Sequence, residues 1–227
     1  MDGMGFLYTP LPLWIAVGGW ATAAGLIALA LTRKPFRRLQ DGTLQHVWLA
    51  LVVAISVLWA SNAWLNDGPV MHVLGATLVV TLFDWSLALV AMAAVSGIAG
   101  LIFDAAWQGI ALTFLIYGAM PVGVSALLQR ACIAWLPRNL LVFICAQGFV
   151  SPAIAVTCAS LAAAAMHVAL AHGSFAVIPI GYAFSVLLLA LGEAWFTGMS
   201  TALIAVYKPT WVTTNDVRRY RLGGPRT

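Results

Sequence analysis

Long apolar stretches, separated by single charges or short polar loops, make up most of the 227-residue chain. Uncharged runs extend over residues 3–32, 42–66, 68–83, 85–103, 105–129 and 139–192. A helix crosses the hydrocarbon core of a bilayer with about 20 apolar residues. The pattern therefore predicts an all-α, polytopic membrane protein rather than a soluble domain.

The basic residues indicate which helix ends share one side of the membrane. All 11 Lys and Arg residues fall into three clusters, at residues 33–38, 130–138 and 208–226. Because cytoplasmic loops collect Lys and Arg, one topology should place all three clusters inside the cell. An N-terminus outside, a C-terminus in the cytoplasm and about seven transmembrane helices meet that requirement.

The stretch at 71–103 decides the number of crossings. As one helix it would be roughly 50 Å long, whereas the hydrocarbon core is about 30 Å thick. It also contains Asp84, a charge that is costly at mid-bilayer. A break near Phe83-Asp84-Trp85 would place Asp84 at the cytoplasmic surface, where its carboxylate could cap the following helix. Without the break, the chain has six crossings and exports the second and third basic clusters.

The boundaries follow from these breaks. The predicted helices cover about residues 11–32, 46–65, 71–83, 108–128, 140–170 and 176–207, with an ascending helix between the break and residue 103. The helix at 71–83 is short, so it needs a thinned membrane or ends buried against its neighbours. We expect residues 1–211 to form a single transmembrane domain and residues 212–227 a short basic cytoplasmic tail.

Composition supports this class and excludes several others. Only 8% of residues are charged, against roughly a quarter in soluble domains. Soluble enzymes, nucleic-acid binders and disordered chains are therefore excluded, and the lipid bilayer is the expected surrounding. The sequence has no nucleotide-binding loop and no HExxH or GxSxG motif. We expect no enzyme activity, and active transport would need another subunit or an ion gradient.

Nitrogen and sulfur donors gather at the predicted outer ends of the helices. Imidazole and thioether groups are transition-metal ligands. The candidate metal ligands are Met1, Asp2, His72, His167 and His172. The alternative is that His72 and His172 are interfacial polar residues and that His167 packs in the core.

Glu193 lies near mid-membrane in the last predicted helix, where a carboxylate is costly unless it is protonated, hydrogen-bonded or in a polar cavity. Thr197, one turn further, shares its helix face. These two residues are candidates for transport or coupling, as a gate, a proton relay or a contact to a coupling subunit. The alternative is a protonated carboxyl group bonded to a neighbouring helix.

Several short motifs resemble the CbiM/NikM family, the substrate-specific membrane components of energy-coupling-factor transporters for cobalt and nickel. They are Gly5-Phe6-Leu7, His72-Val73-Leu74-Gly75-Ala76, Phe83-Asp84-Trp85, the Gly192–Thr197 segment and Tyr207-Lys208-Pro209. Their order, spacing and seven-helix topology match the family from residue 5 to about residue 211. The resemblance implies an integral protein of the bacterial cytoplasmic (inner) membrane that works with a transmembrane coupling subunit and ATPase subunits.

The resemblance also implies the substrate and its ligands. The family binds one Ni(II) or Co(II) ion, without an organic cofactor. Its ligands are the N-terminal amine, the backbone nitrogen and imidazole of the second residue, and a histidine that corresponds to His72. This chain has Asp2 where the family has histidine, so the family's chelate cannot form unchanged. Because thioether ligands favour Cu(I), the nearby Met4, Met71 and Met166 leave copper as an alternative metal.

Two functions of other classes remain open from the sequence. An ion- or proton-coupled carrier of a small solute would use Glu193 as its proton site. A non-transporting assembly partner of a larger membrane complex would use the apolar helices only for packing.

Overall fold

The computed structural model describes residues 6–7, 11–61, 72–137, 139–171, 178 and 181–212. Six helices in these ranges are long and apolar enough to cross a membrane. They are α1 Leu13–Thr32, α2 Gly42–Ala60, α3 Ala76–Ile102, α4 Trp107–Trp135, α5 Leu140–Leu170 and α6 Tyr182–Tyr207. The described residues contain no β-strand. The predicted all-α, polytopic membrane fold is therefore confirmed.

Helix α3 is interrupted at Asp84, as the sequence predicts. Asp84 has φ 73° and ψ 163°, which are not helical values. The interruption separates residues 76–83 from residues 85–102, so the described residues contain seven apolar helical segments. All residues from 76 to 83 are buried, although the segment is only about 12 Å long. The short helix is accommodated by burial against its neighbours, one of the two predicted solutions.

The interruption lies at the end of the bundle where the basic residues meet, which we call the basic end. The Arg33 guanidinium group lies 5.9 Å from the centroid of the Trp85 ring, and the Arg38 guanidinium group lies 5.9 Å from that of the Phe83 ring. Both aromatic residues are neighbours of Asp84 in the sequence. Arg38 also donates a hydrogen bond of 3.2 Å to the carbonyl oxygen of Trp211, after α6. The first and third basic clusters are therefore joined here.

The second basic cluster reaches the same end, because Arg130 and Trp85 line one cavity. This common placement is what the predicted seven-segment path requires. The side of the membrane that the basic end faces, with the N-terminus outside and the C-terminus inside, stays a prediction.

The predicted cap at Asp84 is not observed among the described hydrogen bonds. An N-cap residue normally has β-region backbone angles, whereas Asp84 has a positive φ. The carboxylate instead lies in the field of Arg38: burial lowers the pKa of Arg38, and Asp84 opposes that effect.

Five helix boundaries differ clearly from the predicted ones. Helix α2 ends at Ala60 rather than 65, and α3 begins at Ala76 rather than 71. Helix α2 begins at Gly42 rather than 46, because the Asp41 side chain caps it by accepting a 2.9 Å bond from the Thr43 N–H. Helix α4 continues to Trp135 rather than 128, since the long Arg130 side chain can carry its charge outward from within a helix. Helix α6 begins at Tyr182 rather than 176.

The centre of the bundle is occupied by α3, the most buried helix, whereas α1 is largely exposed on its outer face. Helices α4 and α5 each contain a π-helical segment, at Phe114–Ala119 and Ile144–Val150. Such segments are rare and frequently occur at functional sites. They present Tyr117 and Gln147 to the interior, where both side chains are buried.

Candidate functional site

His72 lies just before α3, at the end of the bundle opposite the basic end. Helix α2 starts near the basic end and finishes at Ala60, and its penultimate residue, Trp59, contacts the His72 ring at a centroid distance of 4.3 Å. The Trp59 indole N–H also donates a 3.4 Å bond to the carbonyl oxygen of Leu74. His72 is therefore held beside the far end of α2.

The His72 ring is buried, with 4% of its surface exposed, and packs against Tyr117 at 5.3 Å. Neither ring nitrogen has a hydrogen bond of good geometry among the described residues, although the Val73 backbone lies close enough to act on the ring. Burial lowers the pKa of His72 to about 4, against the smaller effect of that backbone. The imidazole is therefore neutral, which is the form that binds a metal ion.

His167, near the end of α5, belongs to the same group of rings. The Phe6 ring stacks on His167 with a centroid distance of 4.6 Å and an interplanar angle of 21°, and it lies 6.4 Å from Tyr117. The His167 Nε2 and the Tyr117 hydroxyl also lack partners in the part of the chain that the structure describes. We call these five residues, Phe6, Trp59, His72, Tyr117 and His167, the aromatic cluster.

Gly109 is the position on α4 against which the N-terminal segment packs. Phe6 and Leu7 are fully buried against α4. A Cβ atom on Gly109 would lie 2.8 Å from the Phe6 carbonyl carbon and 2.9 Å from the Leu7 Cα, and closer still to the Phe6 carbonyl oxygen. Only glycine at this position permits the backbone of residues 6 and 7 to approach the helix.

The predicted metal ligands are only partly described. The structure brings His72 and His167 into one cluster, whereas Met1, Asp2 and His172 lie outside the described residues. Within the described ranges no group of three or more His, Cys, Asp or Glu side chains is placed to hold a metal ion. The described site therefore contributes two imidazoles, and the full ligand set stays a prediction.

Glu193 connects α6 to the segment that carries His72. Its Oε2 accepts a 2.7 Å bond from the Leu74 N–H, and its Oε1 accepts a 2.8 Å bond from the Gly75 N–H. The carboxylate is 1% exposed. It satisfies two backbone donors at the start of α3, where a negative charge is also favoured by the helix dipole. Both oxygens accept from backbone N–H groups of another element, and a role of Glu193 in transport or coupling stays a prediction.

We call the two hydrogen bonds from the Leu74 and Gly75 N–H groups to Glu193 the Glu193 clamp. The backbone at this clamp has an unusual conformation. Gly75 has φ 69°, which favours glycine, and a Cβ there would approach the Ile55 side chain to 2.9 Å. Thr197, one turn after Glu193, is fully buried, and its hydroxyl has no partner among the described residues. Residues 72–75 are thus held between α2 and α6.

The sequence did not predict Trp59, Tyr117 or Gly109 as parts of the site. Aromatic residues and glycines are common in any apolar helix, so their type alone carries no signal. Of the other cluster members, His72 and His167 were predicted as metal ligands, and Phe6 belongs to the family motif Gly5-Phe6-Leu7.

The described residues form a bundle of apolar helices that encloses, at one end, imidazole nitrogens without a described hydrogen-bond partner. This arrangement defines a polytopic membrane protein with an internal polar site. Residues 9–211 match the CbiM family, described as the cobalt uptake substrate-specific transmembrane region. The chain belongs to this family, which confirms the resemblance found in the sequence. The family is a transporter membrane component with a metal-ion substrate. Neither a curated protein nor a solved structure gives a significant match to the chain.

Proposed function

We propose that this protein is the substrate-binding permease of a bacterial importer for a divalent transition metal, cobalt or nickel. In this proposal it lies in the cytoplasmic (inner) membrane and is energised by a transmembrane coupling subunit and ATPase subunits of the energy-coupling-factor type. The observation that carries it is the buried His72 imidazole, whose ring nitrogens have no hydrogen-bond partner among the described residues, in a chain of the cobalt uptake family. Burying such a ring without a partner is unfavourable, and a metal ion would supply the missing interaction.

The proposed ligands are His72, Met1 and Asp2, with His167 and His172 as replacements. Phe6 contacts both His167 and Tyr117, and Tyr117 contacts His72. Five residues span at most about 17 Å, so the covalent chain before Phe6 is long enough for its donors to reach His72. Asp2 would contribute carboxylate oxygen in place of the family's imidazole.

Glu193 and Thr197 are proposed to couple the bound state to the rest of the bundle. The two carboxylate bonds join α6 to the N–H groups two and three residues after His72. A displacement of His72 on metal binding would therefore move the point at which α6 is attached. Both Glu193 oxygens already accept backbone bonds, and this weighs against a carrier that uses Glu193 as its proton site.

The test is the variant His72→Ala with His46→Ala as its matched control. His46 is exposed and lies at the opposite end of α2. His72→Ala should abolish cobalt accumulation by cells and remove the metal that copurifies with the protein, measured by elemental analysis. His46→Ala should leave both unchanged. Wild-type accumulation by His72→Ala would refute the site.

A further inference from the structure

A second group of unpaired polar side chains lies inside the bundle, away from the aromatic cluster. It consists of Gln147 and Ser151 on α5 and Thr197 and Thr201 on α6, and we call it the interior polar cluster. None of the four is more than 1% exposed. Within the described residues, neither the Gln147 amide nitrogen and oxygen nor any of the three hydroxyl groups has a hydrogen-bond partner.

The four side chains flank the point where α5 and α6 come into contact. A Cβ on Gly148 would lie 3.1 Å from the Gly198 Cα and 3.3 Å from the Thr201 Cβ. Gln147 and Thr197 each precede one of these glycines, and Ser151 follows Gly148 by three residues. The unpaired groups are therefore within one helical turn of a close backbone contact.

These hydroxyl groups differ from several others in the bundle, although the buried Ser96 and Thr113 hydroxyls likewise have no partner among the described residues. A threonine or serine in a helix commonly bonds the carbonyl oxygen four residues earlier. Thr157, also on α5, does so with Ala153 at 2.7 Å, and buried Ser56 does so with Val52 at 2.8 Å. The hydroxyl groups of Ser151, Thr197 and Thr201 make no such bond. With no partner among the residues that the structure describes, their oxygens and the Gln147 amide are available to a polar occupant.

The interior polar cluster continues the face that carries Glu193. Residues 193, 197 and 201 lie four apart and share one side of α6. From Glu193 to Thr201 the helix advances about 12 Å, in the direction of Lys208, which lies over Trp211 at the basic end. A polar line thus runs from the residue that holds the His72 segment towards the basic end.

The geometry points to a transfer site: we propose that the interior polar cluster receives the hydrated metal ion after it leaves His72 and before it reaches the basic end. This inference rests on the proposed import function. The donors are neutral hydroxyl and amide groups, which can bond the water molecules around a divalent cation without holding the ion tightly. Weak binding at several points is what passage requires. The π-helical segment that carries Gln147 is consistent with a functional position.

The test compares Gln147→Leu and the double variant Thr197→Val/Thr201→Val with Thr157→Val. The control removes a hydroxyl from α5 that bonds its own helix. Uptake of cobalt by cells that express the whole transporter should fall about tenfold or more in the first two variants. It should stay at the wild-type rate in Thr157→Val. The affinity of each purified protein for Co²⁺ alone should equal that of the wild type.

A matched pair separates transfer from packing. Thr201→Ser keeps the hydroxyl and should retain uptake, whereas Thr201→Val removes it and should not. If immunoblots show that Gln147→Leu does not accumulate in the membrane, the comparison of Thr201→Ser with Thr201→Val alone tests the transfer site. Wild-type uptake in Thr201→Val and in Gln147→Leu would overturn the transfer site. So would a loss of Co²⁺ affinity that fully accounts for the lower uptake.

The proposed function fails in a different way. If the wild-type protein bound neither Co²⁺ nor Ni²⁺, the importer proposal itself would be refuted, and if His72→Ala bound Co²⁺ normally, the His72 site would be refuted. An intact His72 phenotype with no effect at the interior polar cluster would refute only the transfer site.

Discussion

Gly109→Ala is the most direct test of the link between the N-terminal segment and the candidate metal site. The new Cβ would lie 2.8 Å from the Phe6 carbonyl carbon and 2.9 Å from the Leu7 Cα. Carbon atoms in contact are normally about 3.5 Å apart or more. The backbone of residues 6 and 7 must therefore move by at least about 0.7 Å, and further to clear the Phe6 carbonyl oxygen, or leave the helix surface.

That displacement is large for a metal site. Ligand distances in well-formed sites vary by about 0.2 Å, and Phe6 is only a few residues from the proposed donors Met1 and Asp2. We expect Co²⁺ affinity to fall by about 10- to 100-fold, the usual effect of disturbing groups that support metal ligands. Alanine is also the better helix former, by about 1 kcal/mol, so the α4 helix itself should not be weakened.

The assay is Co²⁺ titration of the purified proteins, with Gly123→Ala as control. Gly123 lies on the same helix, and no described atom comes within 4 Å of a Cβ placed there. The control therefore repeats the chemical change without the collision. Equal affinities in the two variants would show that the position of Phe6 and Leu7 does not matter to metal capture.

Two further predictions concern the clamp and the N-terminal ligand. Glu193→Gln should lower the free energy of unfolding by about 1–3 kcal/mol, because an amide NH₂ faces one backbone N–H and leaves it unpaired. Thermal unfolding in detergent measures this, and an unchanged transition would mean that the bonds to Leu74 and Gly75 contribute little. Asp2→His restores the imidazole of the family motif, so it should raise affinity for Ni²⁺ relative to Co²⁺ in a competition titration. An unaltered metal preference would argue that residue 2 is not a ligand.

The interruption at Asp84 could be predicted because its causes are local. The length of the stretch at 71–103 and the cost of a mid-bilayer charge are both properties of the sequence. The clustering of basic residues likewise predicted which helix ends meet. The side of the membrane that each end faces is not determined by these contacts, because contacts within the bundle are the same in both orientations.

The candidate site was predictable only in part. His72 was marked by the metal-ligating side chains that gather at the predicted outer helix ends and by the family motif, and Glu193 was marked by the cost of a carboxylate at mid-membrane. Their partners were not predictable: Glu193 bonds the backbone of Leu74, 119 positions away, and backbone donors have no residue signature. The contact of His72 with Tyr117 and the close approach of Gly148 to Thr201 depend on how the helices cross, which short motifs do not encode.

The Glu193 clamp has a consequence for how this protein can diverge. Because the carboxylate binds main-chain N–H groups, residue 74 can change its side chain without losing the attachment to α6. Proline is the exception, since it has no N–H to donate. Among substitutions at residue 74, proline alone should therefore remove one of the two bonds of the clamp, leaving the attachment to α6 to the Gly75 N–H.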